Sequence, residues 1–172
     1  MQISNKKTPA HTCWVVMGVS GCGKSSVGLA LADALGAIFI EGDVFHPPAN
    51  VAKMSAGIPL TDDDRAEWLV NLQNEIRAAR AQGGGVVLSC SALKRRYRDV
   101  LRAAEPDLRF AHLNGERDLI FARMQKRVGH YMPLSLLDSQ LASLEALQAD
   151  EAGLQLDINQ PLSQLVEVIL QD

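Results

Sequence analysis

The sequence has little of what would suit it to an oxidising compartment, a membrane or a nucleic acid. It carries three cysteines, Cys13, Cys22 and Cys90. The count is odd and the spacings are wide, so neither a disulfide framework nor a zinc site is suggested. Reduced thiols are the simplest reading. No apolar run reaches the ~18 residues of a membrane span. The stretch from Met1 to His11 is polar and does not read as a signal peptide, so a cytoplasmic location and no membrane partner are expected. Charge of one sign is lacking too: 17 Lys and Arg face 20 Asp and Glu, for a net charge of −3. Aromatic residues make up 5% of the chain. A nucleic-acid binder shows a basic, aromatic-studded surface, so that class is disfavoured. There is no internal repeat, low-complexity segment or dividing linker, and 172 residues favour one domain over 1–172.

Short apolar runs alternate with longer amphipathic stretches. The runs are Thr12–Met17, Ala37–Ile40, Val86–Cys90, Leu108–Leu113 and Leu154–Ile158. Those at Cys13–Met17 and Val86–Cys90 are nearly continuous in apolar residues, which suits parallel strands covered on both faces. Helical patterns lie between them. Lys24–Leu35 ends at Gly36, a good residue just past a helix. Asp62–Gln82 opens with Asp62, Asp63 and Asp64, which suit the positive end of a helix, and closes on three glycines. Ala92–Ala104, Glu116–Val128, Ser135–Ala149 and Pro161–Leu170 complete the set. The alternation predicts an α/β fold, a three-layer α/β/α sandwich on a five-stranded parallel sheet.

The strongest signal is Gly18-Val19-Ser20-Gly21-Cys22-Gly23-Lys24-Ser25. It matches G-x-x-x-x-G-K-[ST] in full, with a predicted strand before it and a predicted helix after it. The glycines let the backbone turn tightly and bring its N–H groups onto phosphate oxygens. The helix adds its positive end. Lys24 supplies a mobile cation for the outer phosphates. The Ser25 hydroxyl is short enough to sit on Mg²⁺. ATP and Mg²⁺ are therefore the expected cofactors. Cys22 is a filler at a variable position, or a thiol activated by the helix N-terminus.

No N-K-x-D guanine-reading element is present, and the third strand ends Ser89-Cys90-Ser91 rather than in acids. Both observations turn the reading from switches and motors towards a small-molecule kinase. Asp43 lies at the C-terminal end of the second strand, the edge where ligands sit in open α/β sheets. It is placed to orient an attacking hydroxyl, to take its proton, or to hold Mg²⁺ through water; the bland alternative is a solvated turn residue. Arg123 and Arg127 are four apart on one predicted helix and point the same way. With the break at Gly129–Pro133 they predict a short lid over about 123–140, whose cations clamp phosphates; the bland alternative is a solvated basic face.

Four blocks together resemble the gluconate kinases of the P-loop class, which are similar in fold to shikimate kinases. They are Met17–Ser25, Glu41–Met54, Gly57–Leu69 and Cys90–Arg98, with weaker agreement at Arg127–His130 and Asp157–Pro161. The resemblance spans nearly the whole chain. It implies ATP-dependent phosphorylation of D-gluconate to 6-phosphogluconate, with the nucleotide held by Gly18 through Ser26. Another small-acceptor kinase, for shikimate, adenylylsulfate or a nucleotide, is the alternative. Gluconate is a polyhydroxylated anion, so its site needs cations and hydrogen-bonding groups. Lys53, Arg65, Lys94 and Arg98 are the expected cations. His46, Asn50 and Ser91 are expected to read hydroxyls, His46 being alternatively a structural cap beside Pro47-Pro48, and His130 binds substrate at the lid or is a surface residue of it. Trp68 is either a wall of the pocket or a core residue. The loop Asp157–Pro161 is expected near the adenine. The resemblance also implies a homodimer.

Overall fold

The computed structural model describes residues 11–127 and 133–172. Its strands are β1 (Cys13–Met17), β2 (Ile38–Glu41), β3 (Val86–Ser89), β4 (Arg109–Asn114) and β5 (Gly153–Asp157). The helices are α1 (Lys24–Leu35), α2 (Pro48–Ser55), α3 (Asp62–Ala81), α4 (Arg95–Arg102), α5 (Arg117–Gln125), α6 (Leu136–Ser143) and α7 (Leu162–Gln171). The strands form one parallel sheet in the order β2-β3-β1-β4-β5. Every residue of β1 and β3 is buried, as their apolar runs require. Helix α1 packs with α7, and α3 packs with α4. The result is the predicted three-layer sandwich.

The direction of the chain fixes where a ligand can sit. From β1 the path moves to β2 on one side, and from β3 it moves to β4 on the other. Between β1 and β3 the connections therefore diverge, leaving a crevice at the C-terminal strand ends. The phosphate-loop sequence leaves β1 at that point, and Ser91 leaves β3.

Local signals explain several boundaries. Helix α1 stops where Gly36 turns left-handed at φ +63 and caps the carbonyls of Ala32 and Asp33. Helix α3 starts with a capping box: Thr61 accepts from the Asp64 N–H, and Asp64 accepts from the Thr61 N–H.

Other boundaries depart from the sequence reading. Helix α4 begins at Arg95 rather than Ala92, because Ala92 stands at φ +45, outside helical geometry. The predicted helix Ser135–Ala149 ends at Ser143. Leu144 is extended, and the Glu145 N–H donates to the Leu93 carbonyl at 2.7 Å. Helix α2 was not expected; Pro48 opens it, where a missing N–H costs nothing. Glu116–Val128 shortens to Arg117–Gln125, and Val128 lies outside the described residues. Among the described residues no helix is long and apolar enough to cross a membrane.

Candidate active site

The phosphate loop is a glycine-dependent turn. Gly18 stands at φ +145, and a Cβ there would lie 2.7 Å from the Leu113 carbonyl oxygen. Gly21 stands at φ +83, and a Cβ there would lie 2.5 Å from Met124 Cγ. Both the dihedral and the space demand glycine. Gly23, the residue before α1, offers no side-chain cap, so the first-turn N–H groups are left to face the loop's hollow. The Lys24 ammonium donates to the Val19 carbonyl at 3.0 Å. The Ser25 hydroxyl donates to Glu41 Oε2 at 2.5 Å. Cys22 is buried, and burial pushes its thiol up despite the pull of Lys24. The activated-thiol reading is therefore corrected: desolvation outweighs the helix end.

A cleft of about 230 Å³ opens beside the loop. Ser20, Gly21, Gly23, Lys24 and Ser25 of the loop line it together with Asp43, His46, Arg65, Trp68, Ser91 and Arg127. His46 stacks on Trp68 with ring centroids 4.1 Å apart and planes 15° from parallel. The Trp68 indole N–H donates to the Gly42 carbonyl at 2.8 Å, which ties this wall to the turn carrying Asp43. Trp68 is thus both core and pocket wall. Burial pushes His46 down to about 4; Asp43 pulls it back and Arg65 pushes it further down. His46 is therefore neutral at pH 7 and serves as a hydrogen-bonding group, with its Nε2 4.0 Å from Asp43 Oδ1.

Of the four expected substrate cations, Arg65 alone lines this cleft. It donates to the Leu60 carbonyl at 2.6 Å and to the Tyr97 hydroxyl at 3.3 Å, with its guanidinium 5.4 Å over the Tyr97 ring. The Tyr97 hydroxyl in turn bonds the Asp62 carboxylate. Lys53 instead holds Asp64 at 2.8 and 2.9 Å. That contact and the Thr61 amide keep the Asp64 carboxyl down at about 2. Lys94 holds Asp62 at 3.0 Å. Arg98 is the plainest correction: it is wholly buried and pairs with Glu151 through two hydrogen bonds of 2.7 and 2.9 Å. Its remaining donors serve the carbonyls of Ala92, Glu145 and Ala146, leaving no N–H for a ligand. These carbonyl bonds also explain the early end of α6.

Asn50 is buried and donates to the Asp64 carbonyl at 2.8 Å; its Nδ2 also lies 3.3 Å from His46 Nδ1. It supports the wall from behind. Arg123 and Arg127 do not act as a pair on one helix. Arg123 donates to the Ile158 carbonyl at 2.9 Å, whereas Arg127 lies beyond the end of α5 and lines the cleft. His130 and the lid residues 128–132 lie outside the described residues.

Four cleft residues were missed. Glu41 ends β2 beside the loop; an acid closing that strand was a signal. Gln140 reaches the loop from α6 and accepts the Ser20 N–H at 2.7 Å, a contact no local pattern announces. Met54 and Leu60 form an apolar wall. Among the described residues no cluster of three His, Cys, Asp or Glu could hold a metal. Ser25, Glu41 and Asp43 instead present hard oxygen donors, which suit a Mg²⁺ that keeps water and phosphate ligands.

Comparison with known proteins follows the same line. Residues 13–147 match the family described as an AAA domain. Over 137 residues the chain is 53% identical to the gluconokinase of Gluconobacter oxydans (strain 621H), covering 80% of this chain and 77% of that one. It is 44% identical over 159 residues to the thermosensitive gluconokinase of Escherichia coli (strain K12), covering 92% and 85%. The crystal structure of a gluconokinase from Sinorhizobium meliloti 1021 superposes with a TM-score of 0.83 at 49% identity, covering 92% and 89%.

Proposed function

The chain belongs to the gluconokinase family, and from that premise we infer how it transfers the terminal phosphoryl group of ATP to gluconate. The observation that carries the reading is the shared cleft. Lys24 and Ser25 of the phosphate loop line it together with Asp43 and the His46–Trp68 stack.

The loop amides and the α1 N-terminus hold the phosphates. Lys24 leaves the Val19 carbonyl for the outer phosphates. Ser25, with Glu41 and Asp43 nearby, would hold Mg²⁺, which would neutralise charge on the phosphate oxygens. Arg65 faces the sugar-acid carboxylate, to which its planar fork is matched. Neutral His46 and Ser91 hydrogen-bond hydroxyls. Asp43 orients the 6-hydroxyl and takes its proton as the oxygen attacks in line. Arg127 offsets the charge that spreads over the transferring group. The bond from the γ-phosphorus to the bridging oxygen breaks as the new oxygen–phosphorus bond forms, and the products are 6-phosphogluconate and ADP.

Coupled ADP detection with gluconate, ATP and magnesium tests this. Asp43→Asn is expected to cut kcat by roughly 10²-fold while KM for gluconate stays near its original value. A change confined to KM would demote Asp43 to a binding group. Wild-type protein that consumes no ATP with gluconate would remove the reading.

A further inference from the structure

Gln140 stands 120 residues from Ser20 in sequence, yet its Oε1 accepts the Ser20 N–H. The helix that carries it is held at further points. Leu136 packs with Met54 and Leu60 in an apolar cluster separate from the main core. Met54 and Leu60 are also the apolar wall of the acceptor cleft. Asp138 accepts two hydrogen bonds from Arg117, at 2.6 and 3.0 Å. Just past the helix, the Glu145 N–H is bonded to the Leu93 carbonyl, two residues from Ser91. Gln140 itself lines both the main cleft and a small adjoining cavity bounded by Met54, Pro59, Leu60 and Arg65. One short helix therefore touches the acceptor wall through Leu136 and, four residues further along, the phosphate loop through Gln140.

Ser20 lies between Gly18 and Gly21, both at positive φ, so fixing this turn orders the residue type with the most backbone freedom to lose. Whichever ligand orders this region first spares the other that cost.

We propose that Gln140 is a positioning residue that couples the two substrates: an acceptor seated against Met54 and Leu60 steadies α6, and α6 through Gln140 steadies the Ser20 turn that receives the triphosphate. The coupling is reciprocal by thermodynamic necessity. This inference rests on the reading that gluconate occupies the cleft.

Calorimetry with a non-hydrolysable ATP analogue and magnesium, with and without saturating gluconate, tests it. In the wild type, gluconate is expected to tighten analogue binding by roughly 5-fold. Gln140→Met, which removes the acceptor oxygen, is expected to bring that ratio below about 2-fold. Gln140→Glu keeps an acceptor for the Ser20 N–H, so it retains the ratio while its charge weakens analogue binding overall. A wild-type ratio of one, an unchanged ratio in Gln140→Met, or a lost ratio in Gln140→Glu would each overturn the proposal. Gluconate titrated alone separates the two readings. If it does not bind, the functional assignment falls and takes this inference with it. If it binds normally without coupling, this inference alone falls.

Discussion

Replacing Arg98 with methionine tests the buried ion pair and, through it, the segment that follows β3. Both side chains of the Arg98–Glu151 pair are 0% exposed. Burial pushes the Glu151 carboxyl up, but hydrogen bonds from Arg98, the Gln148 amide and Arg102 outweigh it and hold the group down at about 2. Removing one partner of such a pair leaves a buried charge uncompensated, at a cost of about 3–5 kcal/mol. Arg102 still reaches Glu151 Oε1 at 2.8 Å. That residual partner puts Arg98→Met near the lower end, about 3 kcal/mol. In a chain of this size each kcal/mol moves Tm by about 2–4 °C, so Tm should fall by roughly 10 °C. Removing both charges in Arg98→Met/Glu151→Met should recover part of the loss. Recovery stays incomplete, because the carbonyls of Ala92, Glu145 and Ala146 lose their donor. The consequence for turnover follows from one further bond: the Gly18 N–H donates to the Ser91 carbonyl at 3.2 Å. Loosening Ala92 therefore loosens the joint between the segment that follows β3 and the phosphate loop. Urea denaturation followed by circular dichroism gives the stability, and kcat measured well below Tm gives the function. A stability loss under about 1 kcal/mol for Arg98→Met would refute the reasoning.

Two further outcomes are expected. Burial holds His46 and His112 down at about 4, against an ordinary value of 6.5. Between those values the unfolded chain binds protons that the folded chain refuses. Their contribution is intact above pH 6.5 and is lost as pH falls towards 4, at about 1.4 kcal/mol per pH unit for each histidine. Denaturation midpoints at pH 7, 6 and 5 measure this, and His112→Gln should roughly halve the slope; a flat profile would count against it. Gly42→Ala is expected to damage both stability and turnover. A Cβ at Gly42 would stand 2.3 Å from the Ser89 carbonyl oxygen, so the turn carrying Asp43 must shift. Overpacking of this kind costs about 1–3 kcal/mol, and a kcat within twofold of wild type would show that the turn absorbs the methyl group.

The phosphate loop was legible because its chemistry is contiguous. Gly18, Gly21 and Gly23 set the backbone, and Lys24 and Ser25 follow it directly, so no distant residue is needed to recognise the turn. The strands and the first helix were legible for a similar reason: burial on both faces forces apolar runs, and Gly36 stops α1 by itself. Asp43 could be placed because it lies just past the C-terminal end of β2, the sheet edge where ligands sit. The cations were a different matter. Lys53, Arg65, Lys94 and Arg98 look alike along the chain, and what separates them is which carboxylate comes near. Asp64 takes Lys53, Asp62 takes Lys94, and Glu151 takes Arg98 into the core.

The sequence alone determined the cradle for a triphosphate, the alternation of strands and helices apart from α2, and the family to which the cleft belongs. Tertiary structure alone decided that Arg65 rather than Arg98 faces the cleft, that α6 stops at Ser143, and that Gln140 reaches the phosphate loop. The physical reason is range. A backbone turn is specified by neighbours a few bonds away, whereas a charge or an amide takes the partner that packing brings within 3 Å or so, and packing is settled by the whole chain.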